Sequence, residues 1–323
     1  MSVSRAQLLK EAKATGYRPE ILEKVIHLLE LLEGFQNHPF LKDRIALKGG
    51  TAINLFIFDV PRLSVDIDLN YIGAVDRDTM LLERPKLEQA MQAVCGRAGM
   101  TATRTPTEEH AGGKWRLRYN SSVNDTGTLA VDLNFMLRVP LWPVVRQDSR
   151  RLGSYQALGI PILDVHELAA GKLAALFSRH ASRDLFDAYG LVCGTETLDW
   201  HQLRIGFIVY GAMNRKDWRT LRLEDLAFDR HELENELLPV LRQADASRSL
   251  DELGDRLSAG CREKLAPLLV YTDQEQEFLD RLLDHGEIAA ALLTADAALA
   301  ARITAHPMLL WKAMNVKHHQ KKP

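Results

Sequence analysis

Apolar residues recur every three or four positions along two stretches near the amino terminus, 4–15 and 19–36. This spacing is typical of helices that bury one face against a core. Gly16-Tyr17-Arg18 separates the two stretches, and Pro19 stands where the first turn of a helix accepts proline. The pattern therefore predicts two packing helices at the start of the chain.

Polar and apolar residues alternate farther on, in Asp66-Ile67-Asp68-Leu69, as they do in a strand with one buried face. A short apolar run, Ile45-Ala46-Leu47, predicts another strand, and a largely buried helix is expected over 51–58. Because a strand sends residues i and i+2 to the same face, Asp66 and Asp68 are predicted to point the same way.

A long helix is expected over 79–97, with Asp76 as its cap. Two strands, 114–120 and 128–137, follow and are joined by a loop with the composition of a hairpin turn. The second of these strands contains Asp132 between apolar neighbours. A place on the same sheet as the two earlier aspartates is reasonable, but the residues alone leave two readings of Asp132 open, metal ligand and partly exposed strand residue.

Prolines cluster within residues 138–163, and this shift in composition predicts a connector between domains. The length of 323 residues also favours two domains, which we place at 1–150 and 151–323. Beyond the connector, Asp164 and Glu167 form a capping-box pattern that predicts the start of a helix.

Within that helix Lys172 is the only charge among small and apolar residues. A lysine in this setting usually extends outward to solvent, which is the structural alternative to a functional role. The next predicted helix begins with three charged residues, Arg183, Asp184 and Asp187. The two aspartates are spaced i, i+3 and therefore share a face.

The rest of the chain is helical by pattern, with segments expected over 198–213, 231–244, 249–269, 273–284, 287–304 and 307–316. Its larger aromatic residues are expected in the core. They are Trp200, Phe207, Trp218 and Phe228. The basic end, 317–323, is expected to be a solvated tail.

Composition is that of a water-soluble globular protein, with 46% hydrophobic and 26% charged residues. We expect a cytoplasmic location and no membrane association, since the chain has neither a long apolar run nor a hydrophobic leader. The three cysteines are far apart and are expected to be buried, without disulfides or zinc. A net charge of −2 does not indicate a strongly basic nucleic-acid binder, but a local basic groove is compatible with it.

The chemistry suggested by these residues centres on the aspartate pair. Two carboxylates on one strand face repel each other unless a cation lies between them, so Asp66 and Asp68 form a candidate Mg²⁺ or Mn²⁺ site. The Gly49-Gly50-Thr51 turn leaves backbone N–H groups free to hold phosphate oxygens at the start of a helix. Together the two features suggest a nucleoside triphosphate, although each alone is more often a plain turn or a solvated strand face.

Three groups of residues resemble the signature of the AbiEii-type nucleotidyltransferase toxins, which include the mycobacterial MenT toxins. They are Lys48-Gly-Gly-Thr-Ala-x-Asn-Leu, then Arg62-Leu-Ser64-x-Asp66-Ile-Asp68-Leu, then Lys172, Arg179, Arg183, Asp184 and Asp187. The resemblance covers about residues 45–190. It implies an α+β fold with a DNA polymerase β-like core, a mixed sheet flanked by helices, and a mainly α-helical C-terminal domain that completes the active site.

The resemblance also implies roles for residues. Asp66, Asp68 and Asp132 would be metal-site carboxylates, with Lys172 and Asp187 as further catalytic residues. Nucleotide contacts would come from Gly49, Gly50, Thr51, Ser64, Lys172 and Arg183. The implied function is that of a toxin, neutralised by an AbiEi-like antitoxin, that transfers a nucleoside monophosphate from an NTP to the 3′ ends of tRNA.

Other functions compete with this hypothesis. A nucleotidyltransferase acting on a small molecule or a protein would use the same metal chemistry. A non-catalytic nucleotide- or protein-binding module would keep the fold without the reaction. A glycosyltransferase is disfavoured, because the Gly-Gly-Thr turn has no role there. Nothing in the sequence selects the base of the NTP.

Overall fold

The computed structural model describes residues 3–105, 111–194, 198–245 and 249–320. It divides into two compact units. The first comprises Met1–Arg138, Val144–Leu163 and Leu237–Arg248, and the second comprises Val139–Pro143, Asp164–Glu236 and Ser249–Pro323. The first unit therefore continues past residue 150 and takes in a short segment from much later in the chain.

The first unit begins with the two predicted helices, α1 (Arg5–Thr15) and α2 (Pro19–Asn37). A short helix, α3 (Gly49–Ala52), continues as one π-helical turn, Ile53–Ile57. The long helix α4 spans Arg77–Arg97. As predicted, Asp76 caps α4, since its carboxylate accepts a hydrogen bond from the N–H of Thr79 at 2.8 Å.

In the described part of the chain, seven strands form one sheet. They are β1 (Ile45–Lys48), β2 (Asp66–Tyr71), β3 (Thr101–Arg104), β4 (Gly112–Asn120), β5 (Thr126–Asn134), β6 (Val145–Gln147) and β7 (Ile160–Ile162). Their order across the sheet is β3-β4-β5-β2-β1-β7-β6. The sheet is mixed, because β2 pairs with β5 and β1 pairs with β7 in parallel, while the other neighbours are antiparallel.

One face of this sheet forms the core of the first unit. Its buried side chains come from the middle strands, Leu47, Ile67, Leu69, Trp115, Leu117, Val131 and Leu133. Helices α2 and α4 contact the sheet and each other. The opposite face carries the polar members of the same alternation, including Asp66 and Asp68, which are only partly buried.

The prediction of a plain connector over 138–163 is wrong, because strands β6 and β7 lie within it and extend the sheet beside β1. Three-residue strands are too short to show an alternating pattern. In addition, Pro161 resembles a strand breaker, although Ile160 and Ile162 on either side of it are buried. The edge strand β3 was also missed, since it is largely exposed.

The second unit is helical, as predicted. Its helices are α5 (Val165–Arg179), α6 (Ser182–Gly194), α7 (Trp200–Ala212), α8 (Arg230–Glu232), α9 (Leu250–Leu265), α10 (Asp273–His285), α11 (Ala297–Ala305) and α12 (Pro307–Gln320). The helix expected over 231–244 is instead α8, a π-helical turn Leu233–Leu237 and a 3₁₀ turn Leu238–Val240. Residues 321–323 of the predicted tail lie outside the described residues.

Aromatic packing in the second unit bears out two of the four predictions. Phe207 and Trp218 are fully buried, with ring centroids 5.0 Å apart, whereas Trp200 is 41% exposed and Phe228 is half-buried. Cys193 is likewise exposed rather than buried. Among the described residues, no helix has both the length and the apolar composition needed to cross a membrane.

Candidate active site

A row of four charged residues crosses the polar face of the sheet. Lys48 on β1 pairs with Asp68 on β2, Asp68 pairs with Asp132 on β5, and Asp132 pairs with Lys114 on β4. Paired residues of adjacent strands point to the same face and lie about 5 Å apart. The structure therefore brings two carboxylates side by side between two lysines.

Asp66 lies two residues before Asp68 on the same face of β2, and it pairs with Ala130 on β5. Asp66, Asp68 and Asp132 are all half-buried, while Ile67 between the first two is fully buried. The alternation thus directs the aspartates as predicted. Within the part of the chain that the structure describes, the side chains of Asp66 and Asp68 form no hydrogen bond or ion pair, so their oxygens are available to a ligand.

The glycine turn adjoins these carboxylates directly. Gly49 begins α3 with a φ of 73°, a conformation that favours glycine. A Cβ atom at this position would overlap the carboxylate oxygen Oδ2 of Asp68. Only glycine therefore allows the backbone to approach Asp68 this closely, and the N–H groups of the first helical turn are left without intrahelical acceptors.

Thr51 fastens the turn to β2. Its hydroxyl donates to the carbonyl oxygen of Asp66 at 2.5 Å, and its side chain is completely buried. The side chain of Asn54 donates to the carbonyl oxygen of Gly50 at 3.0 Å. Ser64, two residues before β2, is also buried. These contacts hold the turn and the aspartate strand in one arrangement.

The donor set fits a hard divalent cation, because carboxylate oxygens are the ligands that Mg²⁺ and Mn²⁺ prefer. Among the described residues, no three His, Cys, Asp or Glu side chains converge into a complete metal site. Mg²⁺ usually binds through one or two carboxylates and completes its shell with substrate phosphates and water. The adjacent Asp68 and Asp132 are thus suited to a cation that arrives with a nucleotide.

Lys48 and Lys114 were missing from the predicted site residues. For Lys114 the signal was the alternation Lys114-Trp-Arg-Leu-Arg-Tyr119, which places it on the polar face of β4. That signal does not specify the pairing with Asp132, since the two residues are joined through a hairpin whose register is set by the fold.

The second unit contains a separate buried charge cluster. The Nζ atom of Lys172 on α5 lies 2.8 Å from Asp184 Oδ1 and 2.8 Å from Asp187 Oδ2 on α6. All three side chains are at least 90% buried. The two aspartates share a face, as predicted, whereas the outward-pointing alternative for Lys172 is excluded.

Arg179 adds a second cation to this cluster, with its Nε atom 2.5 Å from Asp184 Oδ2. Burial alone would raise the pKa of Asp184, but the charges of Lys172 and Arg179 hold that pKa below its usual range. Arg183 forms an ion pair of 3.1 Å with Glu236 at a partly exposed position.

Glu167 takes a different role from the one its capping-box position predicted. Its carboxylate accepts hydrogen bonds from the Tyr210 hydroxyl at 2.8 Å and from the Leu141 N–H at 3.0 Å. Asp164 caps the helix start as the pattern predicted, since its carboxylate accepts a hydrogen bond from the N–H of His166 at 2.8 Å. Burial raises the pKa of Glu167 to about 7. Glu167 thus fastens residues 139–143 to α5.

Comparison with known proteins assigns this chain to a family. The model of the nucleotidyl transferase AbiEii toxin family, of type IV toxin–antitoxin systems, matches residues 30–267, well over half of the chain. The match spans every aspartate and lysine of the predicted site. A comparison with curated protein sequences gave no match.

Among solved structures, the chain is similar to MenT4, a nucleotidyltransferase toxin from Mycobacterium tuberculosis. The TM-score is 0.63 at 18% identity, and the alignment covers 93% of this chain and 99% of MenT4. At this identity the likeness concerns the fold, and it confirms the predicted α+β class. With the family match, it confirms the resemblance drawn from the motifs. The chain therefore belongs to the AbiEii family of nucleotidyl transferase toxins of type IV toxin–antitoxin systems.

Proposed function

We propose that this nucleotidyltransferase transfers a nucleoside monophosphate from an NTP to a hydroxyl group at the 3′ end of an RNA, with tRNA as the acceptor that the family resemblance implies. The observation that carries the proposal is the pairing of Asp68 with Asp132 on adjacent parallel strands, directly against the Gly49 turn. The carboxylates and the backbone at the start of α3 meet there.

The turn would hold the triphosphate. The N–H groups of Gly49 and Gly50 would donate to the β- and γ-phosphate oxygens at the helix start, where the peptide dipoles also favour an anion. Lys48, beside Asp68, would offset part of the added negative charge. Thr51 would act by positioning, because its hydroxyl is committed to β2. We keep Ser64 and Arg183 as further nucleotide contacts.

In the reaction, the acceptor oxygen forms a bond to the α-phosphorus as the bond from that phosphorus to the bridging oxygen breaks, and pyrophosphate leaves. Asp66, Asp68 and Asp132 would hold a divalent cation, which offsets the negative charge on the phosphates and on the leaving pyrophosphate. Asp132 would accept the proton of the attacking hydroxyl or complete the cation site. Half-burial of these carboxylates limits competing water around the reacting groups.

Lys172 and Asp187 enter the proposal as a positioned pair. Lys172 has three N–H donors, and the described residues account for two of them with Asp184 and Asp187. The third would donate to a phosphate oxygen, and Asp187 would hold Lys172 in the required orientation. Membership of a type IV toxin–antitoxin family implies an antitoxin, which we propose is AbiEi-like.

The test is to incubate the full chain with each α-³²P-labelled NTP, Mg²⁺ and total RNA, and to ask which fraction gains label. We expect label in RNA with at least one NTP and a loss of about a hundredfold or more in Asp68→Asn. Asp125→Asn is the matched control, since it removes an exposed carboxylate from the β4–β5 hairpin of the same sheet.

Label in RNA at equal rates for wild type and Asp68→Asn would rule out the assigned carboxylate role. Label found only in protein or in small molecules would favour the alternative acceptors. Both variants are expected to unfold at nearly the wild-type temperature, because Asp68 has no partner among the described residues whose loss would cost stability.

A further inference from the structure

Strand β4 presents a line of cations on the same face of the sheet as the site aspartates. Lys114, Arg116 and Arg118 are exposed, and they alternate with the buried Trp115 and Leu117. We call these three cations the basic strip. Successive members lie about 7 Å apart along the strand, so the strip runs for about 13 Å away from the aspartate row.

The register joins the strip to the site. Lys114 pairs with Asp132, while Arg116 and Arg118 pair with Ala130 and Thr128. The last two partners are small, so they leave the space above β5 open beside the arginines. On the β5 side, among the described residues, a ligand lying along β4 would therefore pass Thr128 and Ala130 before it reaches Asp132.

The charges of the strip are not used elsewhere in the described structure. Within residues 3–105, 111–194, 198–245 and 249–320, none of its three side chains forms an ion pair or a hydrogen bond. By contrast, some other arginines of the first unit have carboxylate partners, such as Arg44 with Glu83 at 3.0 Å and Arg146 with Asp43 at 2.7 Å. In a chain with a net charge of −2, this cationic line is a local feature that favours an anionic ligand.

We propose that the basic strip binds the phosphate backbone of the acceptor RNA as a single strand and directs its 3′ end toward Asp132. This inference rests on the proposed function and adds the means of holding the acceptor. Regular cations with no aromatic side chain among them suit phosphates rather than bases. The strip therefore holds RNA with little preference for sequence.

The experiment measures the binding of a short fluorescein-labelled single-stranded RNA to the full chain by anisotropy, over a range of KCl concentrations. The variant is Arg116→Gln/Arg118→Gln, which spares Lys114 because that residue belongs to the aspartate row. We expect Kd to rise by roughly tenfold. The slope of log K against log salt should fall by about 1.4, because each phosphate contact on a single strand contributes about 0.7.

The matched control is Arg5→Gln/Arg97→Gln, which removes two exposed arginines from helices of the same unit. It should leave both Kd and the salt slope unchanged. In the transfer assay, the strip variant should show a raised KM for RNA and an unchanged KM for NTP. An effect on NTP alone, or a Kd equal to that of the control, would overturn the proposal.

Two further outcomes separate this inference from its alternatives. If polyglutamate displaces the RNA as well as unlabelled RNA does at equal charge, the strip is a surface for acidic protein and the proposal is wrong. If wild type binds RNA through the strip but transfers no label, the proposed reaction fails while the strip remains an RNA-binding surface. If transfer proceeds and the strip variant binds RNA normally, only the present inference fails.

Discussion

Lys172 shows how a single charged residue is built into the core. Its cation pairs with Asp184 and Asp187, and Asp184 also pairs with Arg179. Two buried carboxylates hold the amine in one position, which is the arrangement that a substrate contact would require.

The same geometry predicts that Lys172 is a stability residue as well. Replacing it in Lys172→Met leaves two buried carboxylates facing each other, which should lower the free energy of unfolding by roughly 3–5 kcal/mol. Urea denaturation followed by circular dichroism measures this loss. Transfer activity of the variant then has to be assayed at a temperature where it is folded.

Arg179→Gln supplies the control, since its side chain is 65% exposed. Its partner Asp184 is buried but keeps Lys172 as a second partner, so this variant should lose less free energy of unfolding than Lys172→Met. The double variant Lys172→Met/Asp187→Asn should recover part of the loss, because it removes one of the two buried carboxylates that lose Lys172 as a partner. Equal stability of Lys172→Met and Arg179→Gln would contradict the buried network.

Residue roles could be predicted where they depend on local periodicity. The direction of Asp66 and Asp68 follows from the strand period alone, and the shared face of Asp184 and Asp187 follows from the helix period. The role of Thr51 could not be predicted, because its hydrogen-bond acceptor lies 15 residues away on another element. The local sequence pattern therefore predicts the face of a strand or helix on which a side chain lies. The hydrogen-bond partner of that side chain depends on the fold.

The β1–α3 turn is the element on which the geometry of the site depends. Gly49→Ala places a methyl group against the Asp68 carboxylate in a backbone conformation that L residues rarely adopt. We expect the free energy of unfolding to fall by about 2 kcal/mol. Displacement of Asp68 by even about 1 Å should also reduce transfer by around a hundredfold.

Gly96→Ala is the control for this prediction. Gly96 lies in α4, is exposed, and a Cβ there would meet no atom within 4 Å. This variant should keep full activity and gain about 0.5–1 kcal/mol, because alanine is the better helix former. Thermal unfolding measures the stability of both variants, and the labelled-NTP assay measures their transfer activity. Similar effects of Gly49→Ala and Gly96→Ala would show that the turn does not depend on glycine.

Elements of the sheet were predicted in proportion to the length of their pattern. The nine-residue strands β4 and β5 alternate clearly and were expected, apart from their exact ends. The three-residue strands β6 and β7 have no measurable period, and their place in the sheet depends on pairing with each other and with β1. Strands this short form because a neighbouring strand provides hydrogen-bond partners. The local sequence pattern contains no information about that neighbour.

At the scale of the whole molecule, the motifs predicted the family and the α+β class, but not the path of the chain between units. Segment 237–245 returns to the first unit through backbone bonds far apart in sequence. The N–H of Leu63 donates to the Val240 carbonyl at 2.8 Å, and the N–H of Gln243 donates to the Gly16 carbonyl at 2.9 Å. The apolar residues Leu237 and Leu241 of this segment are buried. Their spacing in the sequence is that of a buried helix face, so the local pattern predicts another helix.

This return of the chain can be tested by hydrogen exchange on the full protein. Leu117→Ala opens a cavity in the core of the first unit and Leu257→Ala opens one in the second, each at a cost of about 2–5 kcal/mol. Amides exchange with the cooperative unit to which they belong. Segment 237–245 should therefore exchange faster in Leu117→Ala and stay protected in Leu257→Ala, while the amides of α9 show the opposite response. Faster exchange of 237–245 in Leu257→Ala alone would place that segment with the helices around it in the sequence, and its bonds to Leu63 and Gly16 would then contribute nothing to its protection.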